Sequence, residues 1–181
     1  MKYNYKNIVK TIISLNTRKF GDVGETIITK IIKDLQKSDD LSYDKKLGDQ
    51  RFEIKFSRAL TKSEPITEKN ICEALLGDNE SRLISDKNKN IENWDCNIQQ
   101  IKVKLFDVLY YGVFFREQIY IFKISPNQII EDKTIKYSNK QHRGNIGEGQ
   151  FHIGKKNIDY HIENFLYKKI NYEELWEILN E

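Results

Sequence analysis

The stretch Arg51-Phe52-Glu53-Ile54-Lys55-Phe56-Ser57 decides how this chain is read. Apolar Phe52, Ile54 and Phe56 alternate with polar Glu53, Lys55 and Ser57. A period of two marks a strand with one buried and one open face. Glu53 and Lys55 therefore share the open face. Upstream, Leu41-Ser42-Tyr43-Asp44 is a second extended candidate. Lys45-Lys46-Leu47-Gly48-Asp49 between them reads as a turn, with Gly48 free to take positive φ. The two segments are expected to form a β-hairpin.

On the N-terminal side, Ile8 to Leu15 is short, apolar and expected to be helical. A longer helix is predicted next, with Asp22 as its cap and Glu25 in capping-box position. Ile27, Ile28, Ile31, Ile32 and Leu35 follow at helical spacing, and the helix should stop before Ser38-Asp39-Asp40. On the C-terminal side, Pro65 should open a helix through Ile66 to Leu76, and residues 78–93 read as loop. Ile98 to Leu105 fits either a helix or a strand. Val108 to Phe115 and Ile119 to Ile124 read as a second hairpin around Arg116-Glu117-Gln118. Ile135 to Gln150 is basic, polar and Gly-containing, hence loop-like. Asn171 can cap a last helix, with Glu174 completing a capping box. The order helix, strands, helix, strands, helix predicts one α/β domain over residues 1–181, a central mixed β-sheet flanked by helices.

Composition narrows the classes. The chain has 181 residues with ten Tyr and nine Phe, enough to bury a real core. Thirty basic against 27 acidic residues leave a formal charge of +3, which permits a nucleic-acid partner without demanding one. Cys72 and Cys96 are far apart, which argues against a structural zinc site. Met1 to Lys6 has no apolar leader and no run is long enough to span a bilayer, so a cytoplasmic location is expected.

A carboxylate and an ammonium held side by side on a rigid strand suit phosphodiester hydrolysis. The carboxylate can hold a hard divalent cation such as Mg²⁺. The ion polarises the phosphate and lowers the pKa of a bound water. The lysine orients that water or offsets charge in the transition state. Taken alone, Glu-x-Lys is also a common solvated surface pair. A second carboxylate is needed, and two are near. Asp44 would lie almost opposite the Arg51–Glu53 segment, where cross-strand Cβ atoms are about 5 Å apart. Asp49 would be about 13 Å from Glu53 along a straight strand and needs a bend to reach it. The spacing favours Asp44, and Asp49 stays open.

Gly24-Glu25 on a first helix, an Asp near a β-turn, and then Phe52-Glu53-Ile54-Lys55-Phe56-Ser57 resemble the PD-(D/E)xK nuclease superfamily, in particular its type II restriction endonucleases. The resemblance is clearest over residues 20–60. Weaker similarity covers Asn97 to Ile101, Gln141 to Ile153, and Tyr160 to Leu175. It implies a restriction-endonuclease-like core and sequence-specific cleavage of double-stranded DNA to 5′-phosphate ends. It implies Asp44 or Asp49 and Glu53 as metal ligands, Lys55 as the catalytic lysine, and Glu25 as a further acidic residue. For Glu25 the helix cap is the competing role. The Pro-Asp pair of the family appears here as Tyr43-Asp44 or Gly48-Asp49, which leaves the aspartate undecided. One active site per chain and two strands to cut imply a symmetric homodimer. A cognate DNA methyltransferase would complete such a system. A nickase or resolvase on the same fold, or a non-catalytic DNA-binding module, are the rival readings.

Contacts to DNA are expected from the basic stretch holding Lys133, Lys136, Lys140 and Arg143, with Gln141, His142 and Asn145 among them. Basic residues neutralise phosphates, whereas Gln, Asn and Arg read base edges. Arg58, Gln99 and Gln100 are further candidates. The pattern Gly144 to Gly149 follows no clear strand and is a weak nucleotide-binding signal. His142, His152 and His161 are too dispersed for a zinc site.

Overall fold

Val108–Phe114 is the strand around which the rest is laid, for every residue in it is buried. Burial on both faces explains its unbroken apolar run. The computed structural model describes residues 5–62, 65–72, 79–140 and 146–181. In chain order its elements are α1 (Tyr5–Ser14), α2 (Thr17–Ile31), β1 (Gln36–Lys37), β2 (Lys45–Leu47), β3 (Gln50–Arg58), β4 (Leu60–Thr61), α3 (Asn79–Arg82), β5 (Trp94–Ile101), β6 (Val108–Phe114), β7 (Gln118–Ile124), α4 (Pro126–Glu131), β8 (Ser138–Lys140), β9 (Ile146–Ile153), α5 (Ile158–Phe165), β10 (Leu166–Asn171) and α6 (Tyr172–Asn180).

The large sheet has the order β1-β2-β3-β6-β7-β10. Only β3 and β6 run parallel, so the sheet is mixed, as expected from the sequence. On one face Phe52, Ile54, Tyr110 and Phe114 pack with Ile13, Phe20, Ile27, Ile28 and Leu175 of helices α1, α2 and α6. On the other face Leu109, Tyr111 and Val113 meet Cys96, Ile98, Phe151 and Ile153 of a second sheet, β4-β5-β9-β8, together with Ile158 and Phe165 of α5. The chain passes from the large sheet to the small one through Ala59, which is fully buried. Phe56 is wedged between two glycines. A Cβ on Gly24 of α2 or on Gly112 of β6 would overlap its ring, so both positions require the missing side chain. That close approach seats α2 directly on β3.

Several local expectations are corrected. Helix α2 starts at Thr17 and is capped by Asn16, whose Oδ1 accepts from Lys19 N at 3.0 Å. Asp22 and Glu25 thus lie inside the helix, and the Asp22–Glu25 capping box does not form. Burial of Phe20 and Gly24 against the sheet carries the helix through this segment. It ends at Ile31, after which Asp34 takes φ 64° and Gln36–Lys37 pair with Lys45–Lys46. The first hairpin exists, but its strand residues are Lys45–Leu47, paired with Gln50–Phe52. The turn contracts to Gly48-Asp49, with Gly48 at φ 58°. A two-residue hairpin loop demands such positive φ, and Gly supplies it without strain.

Pro65 to Asn70 is loop and turn rather than helix, with Thr67 N donating to Asn70 Oδ1. Ile71 and Cys72 are helical, and residues 73–76 of that expected helix lie outside the described residues. Trp94–Ile101 is a strand, which resolves the open choice at Ile98. Of the expected loop at 135–150, Ser138–Lys140 and the residues from Ile146 on are strand, because β8 and β9 extend the small sheet; residues 141–145 lie outside the described residues. The second hairpin, β6–β7, and the Asn171 cap of α6 are as expected; Asn171 Oδ1 accepts from Glu174 N at 2.8 Å. The Glu174 carboxylate pairs instead with Lys168 at 3.0 Å. Among the described residues no helix is long and apolar enough to cross a membrane.

Candidate active site

β2 pairs with β3 only as far as Phe52. From Glu53 onward that edge of β3 has no strand beside it among the described residues. The hairpin register, continued by one residue, sets Asp44 opposite Glu53. Asp44 N donates to Phe52 O at 3.0 Å, and Asp44 Oδ2 accepts from Ile54 N at 2.8 Å. The carboxylate thus takes over where the strand partner stops. In a strand the N–H and C=O of one residue leave by the same edge, so Ile54 C=O opens on the Asp44 side. Lys55 Nζ lies 3.3 Å from Asp44 Oδ2 and 2.5 Å from Glu53 Oε1. One ammonium is bracketed by two carboxylates that are nine residues apart in sequence.

Glu53 is only 7% exposed. Burial pushes its pKa up to about 7; Lys55 opposes the shift and the Asp44 charge adds to it. Burial also disfavours the charge on Lys55. The attraction of Glu53 and Asp44, with their hydrogen bonds, outweighs that cost, so its pKa is raised and it stays protonated. The cluster therefore holds a firm cation and a carboxyl short of positive charge.

The edge of β3 floors an open cleft of about 690 Å³. One wall is α2, with Thr17, Arg18, Gly21, Asp22 and Glu25; the other is β5, with Asn97, Gln99 and Gln100. Glu25, freed from any capping role, pairs with Lys45 at 3.2 Å. Gln100 has φ 59° and forms the bulge between Gln99 and Ile101. Such a bulge re-aims side chains at an edge, and both glutamines are exposed. Arg58 also lines the cleft. Its guanidinium, however, donates to the carbonyls of Leu15 (2.7 Å) and Ile12 (3.3 Å) and stacks 3.7 Å over Phe20. It ties α1 to the end of β3.

The remaining sequence candidates divide plainly. Asp49 is exposed in the hairpin turn and makes no contact with the cluster. Gln141, His142, Arg143 and Asn145 lie outside the described residues. His161 is fully buried, bonded through Nδ1 to Tyr111 OH at 2.8 Å, and belongs to the core. No family model, curated protein or solved structure matches this chain.

The donor set suits a hard cation. Asp44, Glu53 and the Ile54 carbonyl edge are all oxygen, the ligand class that Mg²⁺ takes. The raised pKa of Glu53 fits the same need for added positive charge. Among the described residues no three or more His, Cys, Asp or Glu side chains group to hold a metal. An ion here would rely on water and substrate oxygens, as Mg²⁺ commonly does. Sequence reasoning missed Lys45 and Asn97. Lys45 sits in a segment whose composition reads as turn, and Asn97 reaches the cleft only because β5 packs across β3.

Proposed function

We propose that the chain is a Mg²⁺-dependent endonuclease that hydrolyses phosphodiester bonds in double-stranded DNA, of the type II restriction kind. The observation that carries this reading is Lys55 Nζ bracketed by Asp44 and Glu53 at the open edge of β3. When bound at Asp44 and Glu53, Mg²⁺ supplies Lewis-acid polarisation of the phosphate and a more acidic water. Lys55 stands where it can hold the attacking water and offset negative charge gathering on the phosphate oxygens. Water oxygen bonds to phosphorus as the bond to the 3′ oxygen breaks. That oxygen takes up a proton, leaving 3′-hydroxyl and 5′-phosphate ends. Glu25 and the glutamines of β5 flank the strand that is cut. A homodimer acting on a two-fold site in the cytoplasm, with a protecting methyltransferase, belongs to the same proposal.

Incubation of a plasmid of known sequence with the protein and Mg²⁺ tests the reading. Discrete, reproducible fragments are expected. Nicked circles alone would turn the reading into that of a nickase. No Mg²⁺-dependent cleavage of any duplex would leave no enzyme to explain.

A further inference from the structure

A second depression of about 790 Å³ opens at the far end of β5. Lys62, Lys133, Lys136, Lys155 and Lys156 line it. Among the described residues none of the five has a carboxylate within ion-pair distance, whereas Lys10, Lys45, Lys46, Lys55, Lys102 and Lys168 do. Among the described residues the one acid in its lining, Asp95, is engaged by His152 at 2.9 Å. Five lysines in one hollow stand out in a chain whose formal charge is only +3. Like charges crowd this way at a cost, which a polyanion would relieve.

The hollow and the cleft are joined by one strand face. Trp94, Cys96 and Ile98 of β5 are buried, so Asp95, Asn97 and Gln99 share the open face. On β9, Gln150 and His152 stand beside them, paired with Gln99 and Asn97 in the ladder. Asn97 Nδ2 donates to Gln150 Oε1 at 3.0 Å; Gln150 is buried and Asn97 Oδ1 is closed off from solvent, so this bridge braces the sheet beneath the exposed Gln99 and His152. From Asp95 at the hollow to Gln99 at the cleft is about 13 Å of strand. That span corresponds to roughly four base pairs at about 3.4 Å per nucleotide along one strand.

We propose that the open face of the small sheet is a duplex-holding surface. Its lysine hollow grips backbone phosphates about four base pairs from the bond placed over Lys55, and Gln99, exposed on the strand that joins them, faces the bases between. This rests on the DNA-cleavage reading for its register and names the second half of the footprint. It also gives the small sheet a task that the catalytic edge does not perform. Lysines there act through charge alone, so they set affinity and salt dependence rather than sequence.

The test measures binding of a fluorescent 30-base-pair duplex by anisotropy in EDTA, across a series of salt concentrations. The triple variant Lys133→Gln/Lys155→Gln/Lys156→Gln is compared with the charge-matched Lys30→Gln/Lys33→Gln/Lys37→Gln on exposed positions elsewhere. The hollow variant should bind roughly tenfold or more weakly at 0.1 M salt, with its log–log salt slope reduced by about 0.9 per lost contact. The control should keep both values. Equal loss in the two variants, or an unchanged slope in the hollow variant, would overturn the proposal. Plasmid cleavage separates the two readings. Cleavage by the wild type with unaltered binding by the hollow variant removes the surface and keeps the nuclease. Lysine-dependent binding with no cleavage under any condition keeps the surface and removes the nuclease.

Discussion

Strand β3 carries two ion pairs that differ in kind. At its start, Arg51 meets Asp107 in a fork, Nη2 to Oδ1 at 2.8 Å and Nε to Oδ2 at 3.1 Å, and Arg51 N adds a third bond at 2.8 Å. Both side chains are well exposed. The hydrogen bonds from Arg51 hold the Asp107 carboxyl below its ordinary range. A few residues on, Lys55 meets Asp44 and Glu53 in a more buried setting, and Glu53 is pushed upward instead. The first pair is complete and joins β3 to the start of β6. The second is under-compensated, because one ammonium faces two carboxylates away from water. Perturbed groups of this second kind are where chemistry is expected.

The sharpest way to break the contrast is Lys55→Ala. DNA cleavage should fall by about 10²–10³-fold or more while duplex binding persists, measured by initial rates and anisotropy. Full retained activity would mean that the wrong pair has been chosen. Next comes the metal. Mg²⁺ at 100 times its Kd should stabilise the protein by about 2.7 kcal/mol. The effect should be larger at pH 8 than at pH 6, since the ion needs Glu53 ionised and the proton competes below about 7. Without metal the sign reverses. A carboxyl with a raised folded-state pKa contributes its stability fully below the unfolded value of 4.5, and loses it as pH rises through about 7. Glu53→Gln should abolish both pH effects in thermal melts. A metal-induced shift that survives this change would place the ion elsewhere.

A third change tests the scaffold. Gly112→Ala should cost about 1–3 kcal/mol by overpacking Phe56, read as a lower urea midpoint. A neutral result would mean that α2 can lift from the strand. The smallest effect belongs to the complete pair. Arg51→Ala should lower the melting temperature by only a few degrees and leave the pH profile of cleavage unchanged. A displaced profile would show that the two pairs are coupled through β3.

Periodicity alone determined much of this protein. The alternation across Phe52 to Ser57 set which face Glu53 and Lys55 share, and the pairing arithmetic brought Asp44 near. The apolar runs at Val108 and Ile119 read as a buried hairpin for the same reason. These are local regularities, carried by neighbours within a few residues. Tertiary contacts decided the rest. Glu25 looked like a cap because Asp22 preceded it by three; packing of Phe20 and Gly24 extends the helix back to Asn16 and turns Glu25 toward the cleft. Ile135 to Gln150 reads as a loop because it is polar and glycine-containing; pairing of β9 with β5 and of β8 with β9 draws Ser138–Lys140 and Ile146 to Gln150 into the small sheet. Asp44 and Asp49 could not be separated until Gly48-Asp49 closed the hairpin and left Asp49 in solvent. The identity of the two charged residues on the strand was thus written in the sequence. The short hairpin loop settled which aspartate joins them, and their depth and the walls around them came from long-range packing, which no local pattern encodes.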